Sequence, residues 1–338
     1  MWQTFGIVGS EPNNIRIMIS KILNLSKVLL IGIATFAVQS CNDNDDPSAG
    51  MGEVQFEITD APSDDATVKG VFVTVTDIKV DGESIGLAQK QTIDLTAYTE
   101  GQTKLLGTSQ LDARTYNSIT LVLDNESDAS GNAPGNYVLT TEDTKYKLTG
   151  TVTGTTEIVM NKSVDVAANS SNTIVMDFDL RKAIQRSSNS SVKYQFGNAN
   201  DLNLAVRVIN KSNAGEIKGT YQESFSSNAD KVIVYAYKRG EFNQSTETTP
   251  DANGRIFTNA VTSTVVEGGL TDTYELHFLE EGEYEVAFAA YDKNEVSNEY
   301  ELNTMLEAEI KIGGGVANFI TVGANSSTSI TANITGLL

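Results

Sequence analysis

Five aspartates are the side chains of this sequence with the clearest capacity for chemistry. Asp60, Asp64 and Asp65 flank an Ala61-Pro62 turn, and Asp177 and Asp179 sit two apart on a later apolar segment. Residues two apart on a strand share a face, so Asp177 and Asp179 would offer paired oxygens. With the first three they form a candidate set for calcium, a hard cation that takes about six to eight oxygen ligands. The same residues have a plainer and commoner reading. Asp60 ahead of Ala61-Pro62 suits a turn whose backbone N–H groups it satisfies, and Asp177 and Asp179 would be the solvent face opposite Met176 and Phe178.

Little other catalytic material is present. One histidine, His277, and one cysteine, Cys41, leave nothing for a multi-histidine or thiolate metal centre and make a Ser-His-Asp triad nearly untenable. His277 lies between Leu276 and Phe278 in an alternating segment, and reads as a surface histidine on the polar side. Two further acidic loops, residues 124–132 and 292–299, lack the ligand spacing of an EF-hand and read as hairpin connections. Tyr98, Tyr116, Tyr137 and Tyr146 could serve as sugar-stacking rings, although aromatic residues in strands are more often core.

Cys41 ends an apolar run, Val28 to Val38, that follows Lys21 and Lys27 and precedes the acidic tract Asn42-Asp43-Asn44-Asp45-Asp46. A basic start, an apolar centre and small residues before a cysteine are the three parts of a secretory signal. About 11 residues of helix cover roughly half of a ~30 Å hydrocarbon core, too little for a span. The segment Val38-Gln39-Ser40-Cys41 resembles the acylation box of bacterial lipoprotein leaders, with Gln39 departing from the usual small residue. That resemblance implies lipid attachment at Cys41. The tract after it resembles the export signal that carries lipoproteins of Bacteroidota to the outer face of the outer membrane, which gives Asp43, Asp45 and Asp46 that role. The stretch before Met18 adds nothing to such a leader and reads as a mis-assigned start.

Residues 1–40 hold three of the 24 basic and one of the 44 acidic side chains, so the remainder carries 21 against 43 and a net charge of −22. A surface this acidic repels phosphate backbones and excludes nucleic acid as a partner. The 298 residues from Cys41 onward are enough for two domains with real cores.

The elements that must hold these residues are strands. Apolar residues alternate with polar ones almost throughout, as in Val54, Phe56 and Ile58, or Val71, Val73 and Val75, and the second series slips at Asp77 to Ile78 and Val80, the mark of a bulge. Ile119, Leu121 and Leu123 repeat the pattern, as do Ile174, Met176 and Phe178, and then Leu202, Leu204, Val206 and Val208. Residues 180–185 suit one or two helical turns, 185–191 a surface loop, and 301–310 either a short helix or an edge strand. A polar stretch over 210–216 marks a boundary. The pattern predicts an all-β chain of two consecutive antiparallel β-sandwiches.

Residues 52–210, through Thr59-Asp60-Ala61-Pro62, Asp64-Asp65 and Asp177-Phe178-Asp179, resemble a family of lipoprotein domains of unknown function in Bacteroidota. The family implies export and a β-rich domain and supplies no reaction. Residues 216–338, through Pro250-DANGRIF and Phe278-LEEGEYEVAFAAY, more loosely resemble the transthyretin-like and carboxypeptidase-regulatory sandwiches.

The expected order is a leader over 1–40, an acidic tether over 41–51, a first sandwich over 52–213 and a second over 216–338. The expected role is that of a lipid-anchored, surface-exposed outer-membrane protein that binds or builds without catalysis. Its partners would be the membrane, through the lipid, and a protein or glycan that the sequence does not name. One rival is a glycan-capture accessory of a polysaccharide-uptake system, which needs exposed rings. Another is a hydrolase built on two carboxylates about 5–10 Å apart across a cleft. No such pair is singled out by the sequence.

Several acyl chains anchor a protein firmly where one anchors it marginally, so Cys41→Ala should move the protein from the membrane pellet to the soluble fraction. A variant that stays in the pellet would overturn the lipid attachment.

Overall fold

A computed structural model describes Met1 and residues 50–61, 65, 67–148, 153–186, 192–225, 227–268, 271–296 and 298–338. Cys41, Asp43, Asp45, Asp46 and Asp64, and residues 187–191 of the loop expected over 185–191, lie outside the described residues; Gln185 and Arg186, at the start of that stretch, pair with Gln195 and Tyr194 as a short strand. In the first half, alternation produces β1 (Met51–Ala61), β2 (Val68–Val80), β3 (Gln91–Asp94), β4 (Lys104–Asp112), β5 (Ile119–Asp124), β6 (Tyr137–Thr140), β7 (Lys145–Lys147), β8 (Thr155–Met160), β9 (Ser171–Asp179) and β10 (Val206–Asn210). A one-turn helix, α1 (Leu180–Ala183), leaves β9, and α2 (Ala199–Ala205) enters β10.

Two sheets face each other, one ordered β10-β9-β1-β4 and one β8-β5-β2-β6-β7 with β3 also on β2. Between them lie Val54, Phe56 and Ile58 of β1, Val71, Val73 and Val75 of β2, Leu121 of β5 and Met176 of β9, all essentially removed from water. Each such side chain contributes about 1.5–3 kcal/mol. The register of β2 against β5 shifts between Val75 and Asp77, and this bulge returns Ile78 and Val80 to the core. β1 and β9 run parallel, Thr59 opposite Asp177 and Ala61 opposite Asp179, within an otherwise antiparallel sheet.

One strand of the pattern is half helix. Asn198 caps α2 in a capping box with Asp201, so Leu202 and Ala205 face the core and Leu204 is 67% exposed. The apolar alternation over 202–208 concealed that cap.

The second half contains β11 (Ala214–Glu223), β12 (Lys231–Lys238), α3 (Gln244–Glu247), β13 (Thr262–Val265), β14 (Asp272–Glu280), β15 (Gly282–Lys293), β16 (Tyr300–Ile312) and β17 (Ser327–Leu337). These strands form one continuous sheet, ordered β13-β12-β15-β16-β17-β11-β14. It curls until its two end strands meet through Glu267 and Thr273, so one sheet supplies both walls of the sandwich. Ile217, Tyr274, Phe288, Ile330 and Ile334 fill the inside. β17 is parallel to β11 and antiparallel to β16, which makes β16 an interior strand and not the edge strand or helix its sequence allowed. Pro250-DANGRIF does not enter a strand: it makes a turn and an irregular crossing that lays Phe257 on Tyr235, ring centroids 4.1 Å apart, over a second core on the sheet's outer face.

Residues Ala49–Leu338 form one compact unit. Each half nevertheless has its own apolar clusters. Fragments 50–213 and 214–338 are therefore expected each to unfold cooperatively, at lower temperatures than the joined chain. A fragment with no cooperative transition by circular dichroism would show that the halves are not independent domains.

Candidate functional site

The parallel pairing of β1 with β9 brings the ends of both strands together beneath the second half. Asp60, Asp177 and Asp179 meet there, 6%, 3% and 5% exposed. Asp177 and Asp179 are thus not a solvent face, because β13 and β14 cover the side of the sheet that the alternation leaves polar. Cations answer them. The guanidinium of Arg207, opposite Asp177 across the β9–β10 ladder, is bonded to Asp177 Oδ2. Asp179 caps α1 by accepting the Arg181 N–H at 3.1 Å, and it takes the Arg181 side chain bidentately at 3.1 and 2.8 Å, with Lys182 Nζ at 3.4 Å. Burial pushes the Asp179 carboxyl up, but Arg181 and Lys182 outweigh it and leave it below the usual value.

Asp60 has no such partner. Neither of its carboxylate oxygens makes a well-formed hydrogen bond, and the Leu180 amide approaches only weakly. Burial, reinforced by the charges of Asp177 and Asp179, holds its carboxyl well above the ordinary range, while the Leu180 amide and Arg181 pull weakly the other way.

The four described aspartates, Asp60, Asp65, Asp177 and Asp179, do not converge as a set. Asp65 is engaged elsewhere, accepting from Thr67 N at 2.8 Å, Arg186 Nη2 at 2.7 Å and Tyr194 OH at 2.9 Å. A calcium shell drawn from Asp60, Asp65, Asp177 and Asp179 would have to displace Arg181, Arg186 and Arg207.

The cations that neutralise the carboxylates also join the halves. Lys182 Nζ donates to Ala260 O at 2.7 Å and Arg207 Nη1 to Phe278 O at 3.3 Å. In return, Arg255 donates to Lys182 O and to Asp201 Oδ1, each at 3.0 Å. Lys162 and Glu280 pair at 2.8 Å at the rim. A cleft of about 410 Å³ runs alongside, lined by Arg181, Arg186, Arg255, Asp65, Tyr194 and Tyr300.

His277 is not a surface histidine. Its side chain is 16% exposed, with Nδ1 2.9 Å from Glu216 Oε2 and Nε2 2.9 Å from Glu275 Oε2. The loop after β3 lies on its ring: Thr59 Oγ1 sits 2.8 Å from Tyr98 O and 2.7 Å from Gln102 O, and this pins Gly101 against the imidazole. A Cβ at Gly101, whose φ is +76°, would stand 2.7 Å from Nδ1, so only glycine fits.

Sequence reasoning missed Arg181, Lys182, Arg207 and Arg255. The signal for Arg207 was present, as a charge inside the apolar run Val206-Arg207-Val208-Ile209. The acidic loops behave as turns: Asp124 accepts Glu126 N and Asp128 accepts Ser130 N, at 2.8 and 2.9 Å. None of the 12 tyrosines is exposed, and Tyr116 and Tyr137, two proposed stacking rings, are buried while Tyr98 and Tyr146 are half-buried.

Fold and site define an all-β protein of two sandwiches docked through a buried ionic seam. Residues 51–197 match a family described as a domain of unknown function, DUF4382. No curated protein is significantly similar to the chain. Among solved structures, a leucine-rich repeat protein from Bacteroides thetaiotaomicron is 14% identical over 84% of this chain at a TM-score of 0.21, and the chain spans 26% of its length. The minor pilin of Streptococcus agalactiae is 10% identical over 84% of this chain and 96% of its own, TM-score 0.20. The major pilin subunit of Bacillus cereus is 12% identical over 85% and 70%, TM-score 0.20.

Two substitutions should act in opposite directions. Arg207→Ala leaves Asp177 buried without a cation and should cost about 3–5 kcal/mol in denaturant unfolding. Asp60→Asn should stabilise metal-free protein at neutral pH. With the folded pKa raised, native Asp60 holds a proton that the unfolded chain releases, so the parent loses stability as pH climbs above the ordinary aspartate value, 3.8. The gain from Asp60→Asn should therefore vanish below that pH. A gain independent of pH would rule out ionisation as its cause.

Proposed function

We propose that this is a surface-exposed outer-membrane lipoprotein with a structural or binding role, whose two sandwiches act as one stiff body beyond an acidic tether anchored at Cys41. The observation that carries the reading is the seam itself. Arg207, Lys182 and Arg255 each reach across it to a backbone carbonyl or carboxylate of the other half, so the halves are braced and not merely strung together. Such bracing suits a spacer or display element, because it fixes the angle at which the outer module is presented.

The apolar leader ending at Cys41 and the aspartates after it support the location. Against the glycan-capture rival stands the use of tyrosine: Tyr221, Tyr235, Tyr274, Tyr284 and Tyr291 are packed within the second half, where they cannot stack on a sugar.

The test is protease treatment of intact cells. Replacing Asp43, Asp45 and Asp46 by alanine should leave the protein in the membrane fraction yet protect it, while the parent is digested. Equal digestion of both would make the tract a linker only. Protection of the parent would remove the surface location itself.

A further inference from the structure

Between β1, β13 and β14 the seam leaves a narrow, half-open cavity of about 20 Å³, lined among others by Thr59, Asp60, Ser263, Glu275 and His277. Four buried polar atoms around it find no hydrogen-bond partner: both carboxylate oxygens of Asp60, the Ser263 hydroxyl and His277 Nε2, which lies near Glu275 without hydrogen-bonding alignment. Asp60 and Ser263 are 6% and 4% exposed. One unpaired buried polar group costs about 1–3 kcal/mol, so a cluster of them around one narrow space points to a guest.

We propose that this guest is one divalent cation of the zinc class, bound by His277 Nε2 together with the carboxylates of Glu275 and Asp60. Ionised carboxylates only accept, and an imidazole protonated at Nδ1 presents a bare lone pair at Nε2. In metal-free protein Asp60 meets part of this deficit by keeping its proton, and Ser263 has a hydroxyl proton to give; a cation that displaces the Asp60 proton would be met by His277 Nε2 and both carboxylates at once.

The surroundings sort the two glutamates. Lys218 takes their outer oxygens, at 3.2 Å from Glu216 Oε1 and 3.0 Å from Glu275 Oε1, and leaves both Oε2 atoms to the imidazole. Glu216 on Nδ1 holds the tautomer and the ring orientation, the usual outer partner of a metal-bound histidine. The missing side chain at Gly101 leaves the room that the ring occupies. Donor atoms of Glu275 and His277 lie within 4.8 Å of each other, in a group whose third member, Glu216, sits on the other ring nitrogen; Asp60 lines the same cavity and must swing toward them to complete a shell at the ~2.0–2.2 Å at which zinc is held. Imidazole beside carboxylate favours zinc over calcium, and the space is too small for the six to eight or so oxygens calcium collects.

His277 is the one histidine, which makes the test unambiguous. In full-length protein carrying Cys41→Ala, stripped with chelator, zinc titrated by calorimetry should bind at one site and shift the imidazole nitrogen resonances in NMR. Calcium and magnesium at matched concentration should do neither. His277→Gln should weaken zinc binding by no less than the roughly tenfold that loss of an outer partner costs. Unmoved imidazole resonances in the parent would overturn the proposal whether or not the variant folds. Equal binding by His277→Gln, or by calcium, would do the same and assign the cavity to water and the zinc to surface carboxylates.

Discussion

A carboxylate removed from water must be met by a positive charge or keep its proton. That constraint shapes the centre of this molecule, because docking the second sandwich over the ends of β1 and β9 buries three carboxylates at once. Arg207 and the pair Arg181 and Lys182 answer two of them. The third, Asp60, is left to its proton and is raised accordingly. Buried ion pairs of this kind add little net stability relative to an apolar contact of the same shape, but they tolerate only one arrangement. The seam is therefore better understood as a specifier of how the halves meet than as a source of binding energy.

The same atoms perform both tasks. Lys182 and Arg207 spend part of their hydrogen-bonding capacity on a carboxylate of their own half and part on a carbonyl of the other. Charge neutralisation and docking cannot be separated by mutation, and loss of one cation is felt on both sides. Where no protein cation reaches, around Asp60 and His277, the seam keeps an acceptor-rich space whose stability cost is retained, as is common where a site must bind something.

Much of the fold was legible because alternation reports which face of a strand is apolar. Val54, Phe56 and Ile58 pointed inward as read, the slip at Asp77 was a bulge, and the turn after Asp179 was helical. Alternation does not report what covers the polar face. Hence Asp177, Asp179 and His277 were read as solvated when another module lies on them. It is equally silent on partners distant in sequence: the parallel pairing of β1 with β9 and the cationic neighbours it supplies follow from tertiary contacts. At Leu202 and Leu204 a helix cap within a few residues overrode a pattern that suited a strand.

The two parallel pairs carry a kinetic consequence. β1 closes on β9, and β11 on β17, across more than a hundred residues of chain, so neither sandwich can complete its hydrogen-bonded framework until the far strand has arrived. Loops of that length must be closed before most contacts reward the closure, which slows folding. A chain emerging from a ribosome or a translocation pore would thus remain open for most of its passage, threadable while in transit, and commit to each sandwich only after the strand that locks it has come through.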